Sequence, residues 1–384
     1  MRSTKAIINL KNLAHNIKSI KKIISKDSKL CVAVKADAYG HGAVECAKTI
    51  LENGGEALAV ATVEEGIELR NAGISSPILM LSLCSPEEIS NAIKYNLIPF
   101  VFDKEYIEFF AKEAEKLGKQ NYKVFLAVDT GMGRIGCFDY EAGKLAEYIE
   151  SFKSLNLGGI STHFAVSDCC DTESKNYTHE QIKKFNSAVK NIESSGINPG
   201  IKTCANSAAA LFLKESNFDM VRIGIIAYGY YPGDFTKKYL SENGINIDLK
   251  PVMTLETEVC AIREIKKGMS ISYGRTWIAP EDTKIAVLPI GYADGLFRKY
   301  GQFGLKVAIN GKEYKVCGRI CMDQCMVDLG NNSDVKRWDK VIIFGDKSEN
   351  AMQDADDIAN ANNTISYEVT TCITKRVERI FLPR

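Results

Sequence analysis

A lysine closes an apolar run. Leu30 to Val34 reads LCVAV, Lys35 follows, and the chain then turns small and flexible through ADAYGHG. Such an ammonium either lifts out into water on its alkyl stem or, desolvated among other cations, acquires a lowered pKa and serves as nucleophile or base. Other polar residues follow apolar runs in the same way. VFLAV leads to Asp129 and then TGMGRIG with Arg134, LGGIST leads to His163, IKTCA leads to Asn206 and Ser207, and DMVRIG contains Arg222 and runs into Gly224 and Ile225. Taken singly, His163 reads as a hydrogen-bonded structural histidine, Arg134 as a solvated side chain and Ser207 as a helix N-cap. Arg222 resists that reading, because a guanidinium buried without partners is costly. Cationic charge beside small residues and helix N-termini at Ser207 and Gly224 suits a phosphate-bearing ligand. With an amine at Lys35, the set points to pyridoxal 5′-phosphate (PLP) held as a Schiff base.

These residues need a frame that brings strand ends together. Between residues 30 and 230 eight apolar runs, at 30–34, 57–62, 77–82, 97–102, 124–128, 157–162, 201–205 and 219–224, alternate with amphipathic charged stretches. Two of those stretches carry Ser85 and Asp103 as N-cap candidates. Near-continuous apolar runs mark strands buried on both faces, and eight such units fit a (β/α)₈ TIM-type barrel, whose chemistry sits at the carboxyl ends of its strands. Beyond about residue 245 the texture changes to short alternating strands broken by glycine turns, as in LKVAINGKEYKVCGRICMDQCMVDLG, which predicts a mostly β C-terminal domain. The expected division is a barrel over residues 1–242 and a β domain over 243–384, with the tail from Asp354 to Arg379 helical.

Composition narrows the class. The 384 residues are 45% hydrophobic and 25% charged, with 49 Lys and Arg against 48 Asp and Glu. That near-neutral balance argues against a nucleic-acid surface or a polybasic membrane face. No apolar run reaches the roughly 18 residues of a membrane span, and the start MRSTKAIINLKNL has no signal-peptide pattern. A cytoplasmic protein is therefore expected, its twelve cysteines reduced core thiols rather than disulfides. Cys317, Cys321 and Cys325 do not match zinc spacing, and with four histidines in the chain no metal site is expected.

At this point the segments resemble a known family. AVKADAYGHGA is similar to the PLP-lysine segment of bacterial alanine racemases, and the likeness, which begins at INLKNLAHNI near the start, continues in order through DTGMGRIG, THFAVSD, NSAA, RIGIIAYG, SYGRTW, PIGYADG, GRICMDQ and TISYEVTTCITKRVERI. The resemblance implies an isomerase of two domains, barrel plus β domain, that supplies D-alanine for peptidoglycan. It implies that Lys35 holds PLP and serves as one base, and that Tyr273 is the opposite base, arriving from the second subunit of a homodimer. Arg222 would bond the pyridine nitrogen, with His163 beside the ring. Tyr39, Ser207, Tyr367 and the backbone at Gly224 and Ile225 would hold the phosphate. Arg134 would bind the phenolic oxygen and the substrate carboxylate, and Met322 and Asp323 of the partner would complete the pocket, with Tyr292 and Arg319 nearby.

One position departs from the pattern. Many members carry a carbamylated lysine seven residues before the GMGR arginine, orienting it; here that position is Ala127. Serine or a broader substrate range stays open, since a small apolar pocket rejects a hydroxymethyl poorly. A decarboxylase on a similar barrel would place an acid where Arg222 stands. A non-catalytic PLP carrier would lack the β domain and Tyr273.

Overall fold

The structure, a computed structural model, describes residues 3–383. Eight strands, β2 (Lys29–Ala33), β3 (Ala57–Val60), β4 (Ile78–Met80), β5 (Ile98–Val101), β6 (Tyr122–Ala127), β7 (Leu155–Ser161), β8 (Ile201–Thr203) and β9 (Met220–Ile223), form one parallel sheet. β9 pairs beside β2, so the sheet curls into a barrel. The seam between β8 and β9 carries two backbone hydrogen bonds, Asp219 N–H to the Lys202 carbonyl and Arg222 N–H to the Ala205 carbonyl, rather than a continuous ladder. All eight runs read from the sequence are strands here. The physical reason is burial on both faces: β3 and β9 are buried at every position, so apolar side chains line the interior on one side and meet the helices on the other.

The connecting helices are placed by local signals. Asp103 caps the helix Lys104–Lys116 by accepting from Tyr106 N–H at 2.8 Å. Ser85 caps nothing. That helix begins later, at Ile89, and the Glu88 carboxylate bonds back to Ser85 N–H at 2.7 Å.

The second sheet has nine strands and is mostly antiparallel. Its members alternate buried and half-buried residues, as in Met253–Glu258 and Cys325–Gly330, which is the pattern of a sheet covered on one face. Two features differ from the sequence reading. The first strand, β1 (Lys5–Asn9), lies in the segment assigned to the barrel, yet it pairs antiparallel with Met253–Glu258 in this second sheet. The tail holds helices Ala355–Ala361 and Ser366–Thr371, but Glu378–Leu382 is a strand running parallel to β1. Neither end of the chain could announce a partner so remote in sequence. Among the described residues no helix is long and apolar enough to cross a membrane.

Candidate active site

Lys35 lies just past β2, half-buried at the carboxyl mouth of the barrel. The four residues after it, Ala36, Asp37, Ala38 and Tyr39, all have φ between 51° and 55°, a left-handed turn built without glycine. Each such residue costs about 1–2 kcal/mol, so the turn persists because its surroundings over-determine it. Ala36 N–H donates to the Glu65 carboxylate at 2.7 Å, and Ala43 N–H donates to Asp37 Oδ1 at 2.8 Å. His41 Nδ1 bonds the Ala38 and Tyr39 carbonyls at 2.9 and 3.0 Å, and Arg379 Nε donates to the Gly40 carbonyl at 3.0 Å. Gly40, at φ 85°, is required twice over, since a Cβ there would sit 2.2 Å from the Thr370 carbonyl oxygen. Burial pushes His41 down to about 4, so the ring is neutral and Nδ1–H is the donor.

The turn delivers Lys35 and Tyr39 into a cavity of about 460 Å³, within the range of small-ligand sites. Burial lowers the Lys35 pKa, the Arg134 charge lowers it further, and Glu65 opposes them. Opposite lies Arg222, buried as its sequence context predicted and held there by Thr203 Oγ1 and the Thr162 carbonyl, each accepting at 2.7 Å. His163 Nδ1 is 3.4 Å from the same guanidinium. Burial, then Arg222, Arg134 and Lys35, push His163 down to about 3, so it stands neutral in the cavity wall.

A third group gathers at another edge. The rings of Tyr39 and Tyr367 lie 5.8 Å apart, and a Cβ at Gly224 would meet the Tyr39 hydroxyl at 2.4 Å, so only glycine admits that tyrosine. Asn206, not Ser207, caps the helix Ser207–Phe212. Ser207 Oγ instead accepts Gly224 N–H at 2.9 Å, which leaves its own hydrogen free to donate. Gly224 thus spends its N–H on Ser207. Ile225 opens the short 3₁₀ turn Ile225–Tyr228 at the cavity wall.

Nine expected site residues therefore share one cavity: Lys35, Tyr39, Arg134, His163, Ser207, Arg222, Gly224, Ile225 and Tyr367. Ala127 lines it as well, buried and offering only a methyl. Tyr273, Met322 and Asp323 lie outside it. They sit on loops of the second sheet, with Tyr273 65% and Met322 51% exposed. Those loops form one unit. Ser272 Oγ donates to the Arg319 carbonyl at 2.5 Å, Tyr292 N–H and Ala293 N–H donate to the Cys321 and Met322 carbonyls at 3.0 Å, and Arg376 bridges Asp323 at 2.8 Å.

Several contributors escaped the sequence reading. Thr203 and Thr162 were unremarkable strand residues, and Asp168 lines the cavity unannounced. Glu65 looks purely structural, because it completes a capping box with Thr62. Its second oxygen could not be foreseen on Ala36. The signal available was the repeated small-residue stretch around His41, which asked for an unusual backbone.

The donor set fits PLP: an amine at Lys35, a guanidinium at Arg222, and hydroxyls at Tyr39, Ser207 and Tyr367 around a glycine that makes room for them. Comparison with known proteins agrees. Residues 8–232 match the family model for the alanine racemase N-terminal domain and residues 252–381 that for the C-terminal domain. The chain is 49% identical to an alanine racemase of Treponema denticola, over 100% of this chain and 99% of that one. Its fold is similar to that of an alanine racemase of Clostridium difficile, with TM-score 0.91 and 37% identity over 100% of this chain and 96% of that one. It is also similar to an alanine racemase of Bacillus anthracis solved with bound L-Ala-P, with TM-score 0.90 and 34% identity over 100% and 96%. The chain belongs to the alanine racemase family.

Proposed function

We propose that the protein interconverts L- and D-alanine with PLP as cofactor and two bases on opposite faces of the substrate. The observation that carries this reading is the convergence of Lys35, Arg222 and the Tyr39–Ser207–Tyr367 hydroxyls on one cavity. PLP, when bound, supplies an electron sink for the α-carbanion. Lys35, its ammonium destabilised by burial, ties the cofactor and moves the proton on one face. Inversion needs a second base on the other face, since a single base tends to return the proton where it came from. That base is Tyr273, brought by a partner subunit. Support comes from its exposure together with Tyr292 and Met322 on one bonded set of loops. Arg222 would donate to the ring nitrogen without giving up its proton, as a guanidinium does, and so would restrain side reactions such as transamination. Arg134, at the cavity wall, would take the substrate carboxylate and the phenolic oxygen. Met322 and Asp323 of the partner close the pocket.

On this reading residues 1–242, joined by Tyr367, carry the cofactor, and the Tyr273, Tyr292 and Met322 loops of residues 243–384 serve the neighbouring subunit's cavity. The product feeds peptidoglycan synthesis in the cytoplasm, a compartment that suits the twelve free thiols. The test is incubation of the PLP-loaded protein with L-alanine and, separately, L-serine in D₂O, with chiral chromatography and mass spectrometry. Deuterated D-alanine as the dominant product is expected. Fast inversion of serine alone would keep the mechanism and change the substrate; inversion of neither would end the reading.

A further inference from the structure

Ala127 puts a buried methyl, not a charge, at the base of the loop that carries Arg134, and that loop has to hold its shape. The loop is closed at its base by the Asp129 N–H to Cys137 carbonyl bond at 2.8 Å and the Cys137 N–H to Ala127 carbonyl bond at 3.0 Å. Asp129 Oδ1 accepts Gly131 and Gly133 N–H at 2.9 and 3.1 Å, which shapes the turn inside it. Two side chains tie the loop to the rest of the barrel: one is Tyr177, on the helix Thr172–Ser194, whose hydroxyl donates to the Gly131 carbonyl at 2.7 Å, and the other is Thr130. Its hydroxyl is buried, shares a 2.8 Å hydrogen bond with Thr162 Oγ1, and accepts from Gln181 Nε2 at 3.1 Å.

Gln181 lies mid-way along the helix Thr172–Ser194 and is 1% exposed. Its second amide hydrogen goes to the His163 carbonyl at 3.1 Å, and its Oε1 accepts Ala165 N–H at 3.0 Å. The orientation of the amide is decided by its neighbours, because a carbonyl must face the NH₂ and an N–H must face the oxygen. One side chain thus ties the Arg134 loop to the segment that carries His163 and, through the Thr162 carbonyl, Arg222.

We propose that Gln181, acting through Thr130, is a positioning residue for Arg134 in this chain, a neutral buried hydrogen-bond anchor for a loop whose base carries only the methyl of Ala127. The inference rests on the reading of Arg134 as the carboxylate-binding group. Loss of the anchor leaves buried polar groups unpaired and lets the loop wander, and its effect falls on substrate affinity ahead of turnover.

The test uses the PLP-loaded protein with Thr130→Val, Thr130→Ser, Gln181→Met and Arg134→Ala, alone and as the Thr130→Val/Arg134→Ala and Gln181→Met/Arg134→Ala pairs. Readouts are kcat and KM for both alanine isomers, the competitive inhibition constant of propionate, the absorbance of the lysine-bound cofactor, and Tm. Thr130→Val, which keeps the volume, should raise KM and the propionate constant about tenfold, the scale of one lost buried hydrogen bond, with kcat within about twofold and the cofactor absorbance unchanged. Gln181→Met should do the same, and Thr130→Ser should restore wild-type values. In the Arg134→Ala background Thr130→Val and Gln181→Met should add nothing further to KM, because each acts through the missing arginine. Additive losses, or losses confined to Tm, would overturn the proposal. If Gln181→Met does not fold, the Thr130 pair decides alone. If Arg134→Ala itself leaves KM and propionate binding unchanged, the carboxylate role of Arg134 fails, separately from the anchor.

Discussion

The barrel cavity and the Tyr273 loops are built on opposite principles. In the cavity the framework is held by partners within the same chain: Arg222 by Thr203 and Thr162, the Lys35 turn by Glu65, His41 and Arg379. On the loops the backbone is fixed just as firmly, through Ser272, Arg319, Cys321 and Gly291, but the side chains of Tyr273, Tyr292 and Met322 point to no partner strong enough to bury them, and all three are exposed. A rigid backbone that presents exposed aromatic and thioether groups is poised to complete something else. On the proposed function, the difference teaches that one chain holds a whole cofactor site and only half of an acid–base pair.

The sharpest way to break that comparison is to separate its halves. Lys35→Ala and Tyr273→Phe should each lower racemisation by about 10²-fold or more, with Tyr273→Phe harming proton removal from the L-isomer more than from the D-isomer. Mixed and allowed to exchange subunits, the two inactive proteins should regain activity, up to about a quarter of wild type, since a two-fold heterodimer has one site with both native residues. No recovery on mixing, with exchange verified by mass, would mean that the loops do not serve a partner's cavity.

A smaller effect tests the cavity side alone. Arg222→Glu should release pyruvate from L-alanine by transamination, measurable with lactate dehydrogenase, and should lower stability by about 3–5 kcal/mol because a carboxylate then faces the Thr162 carbonyl unpaired. Unchanged partitioning between racemisation and transamination would remove the ring-nitrogen role from Arg222.

The smallest effect concerns His41. Its folded pKa, about 4 against the usual 6.5, is depressed, so between those values the unfolded chain binds more protons than the native one. The stability that His41 adds is complete above pH 6.5 and is lost as pH falls toward 4, by up to about 1.4 kcal/mol per pH unit. Urea titrations of the unloaded protein should therefore show the advantage of wild type over His41→Gln shrinking across that window. A constant difference would contradict a buried neutral ring. No comparable histidine braces the Tyr273 loops, so Tyr273→Phe should leave the pH profile of stability unaltered.

How far the sequence reaches follows from the range of the forces involved. The eight barrel strands were legible because burial on both faces writes itself as local apolar runs, and Asp103 was legible because capping is a contact three residues away. Lys35, His163 and Ser207 could be grouped by their common place after such runs and Arg222 by its place near the end of one, and Arg222 announced its need for partners though not their identity. Ser85 misled because Glu88 competes for the same turn, and the helical reading of the tail overran into Glu378 and Arg379 because the strand they begin pairs with KAIIN at the other end of the chain.

By itself, then, the sequence determined the barrel, the mostly β second unit and the set of groups at the strand ends, since hydrophobic periodicity and residue chemistry are local properties. Tertiary structure alone decided the pairing of the two chain ends, the left-handed turn behind Lys35, the Thr203–Thr162 cradle of Arg222 and the Gln181 anchor of the Arg134 loop. Each of these is a hydrogen bond or a steric fit between residues far apart in the chain, and no local pattern encodes which distant atom will stand 3 Å away.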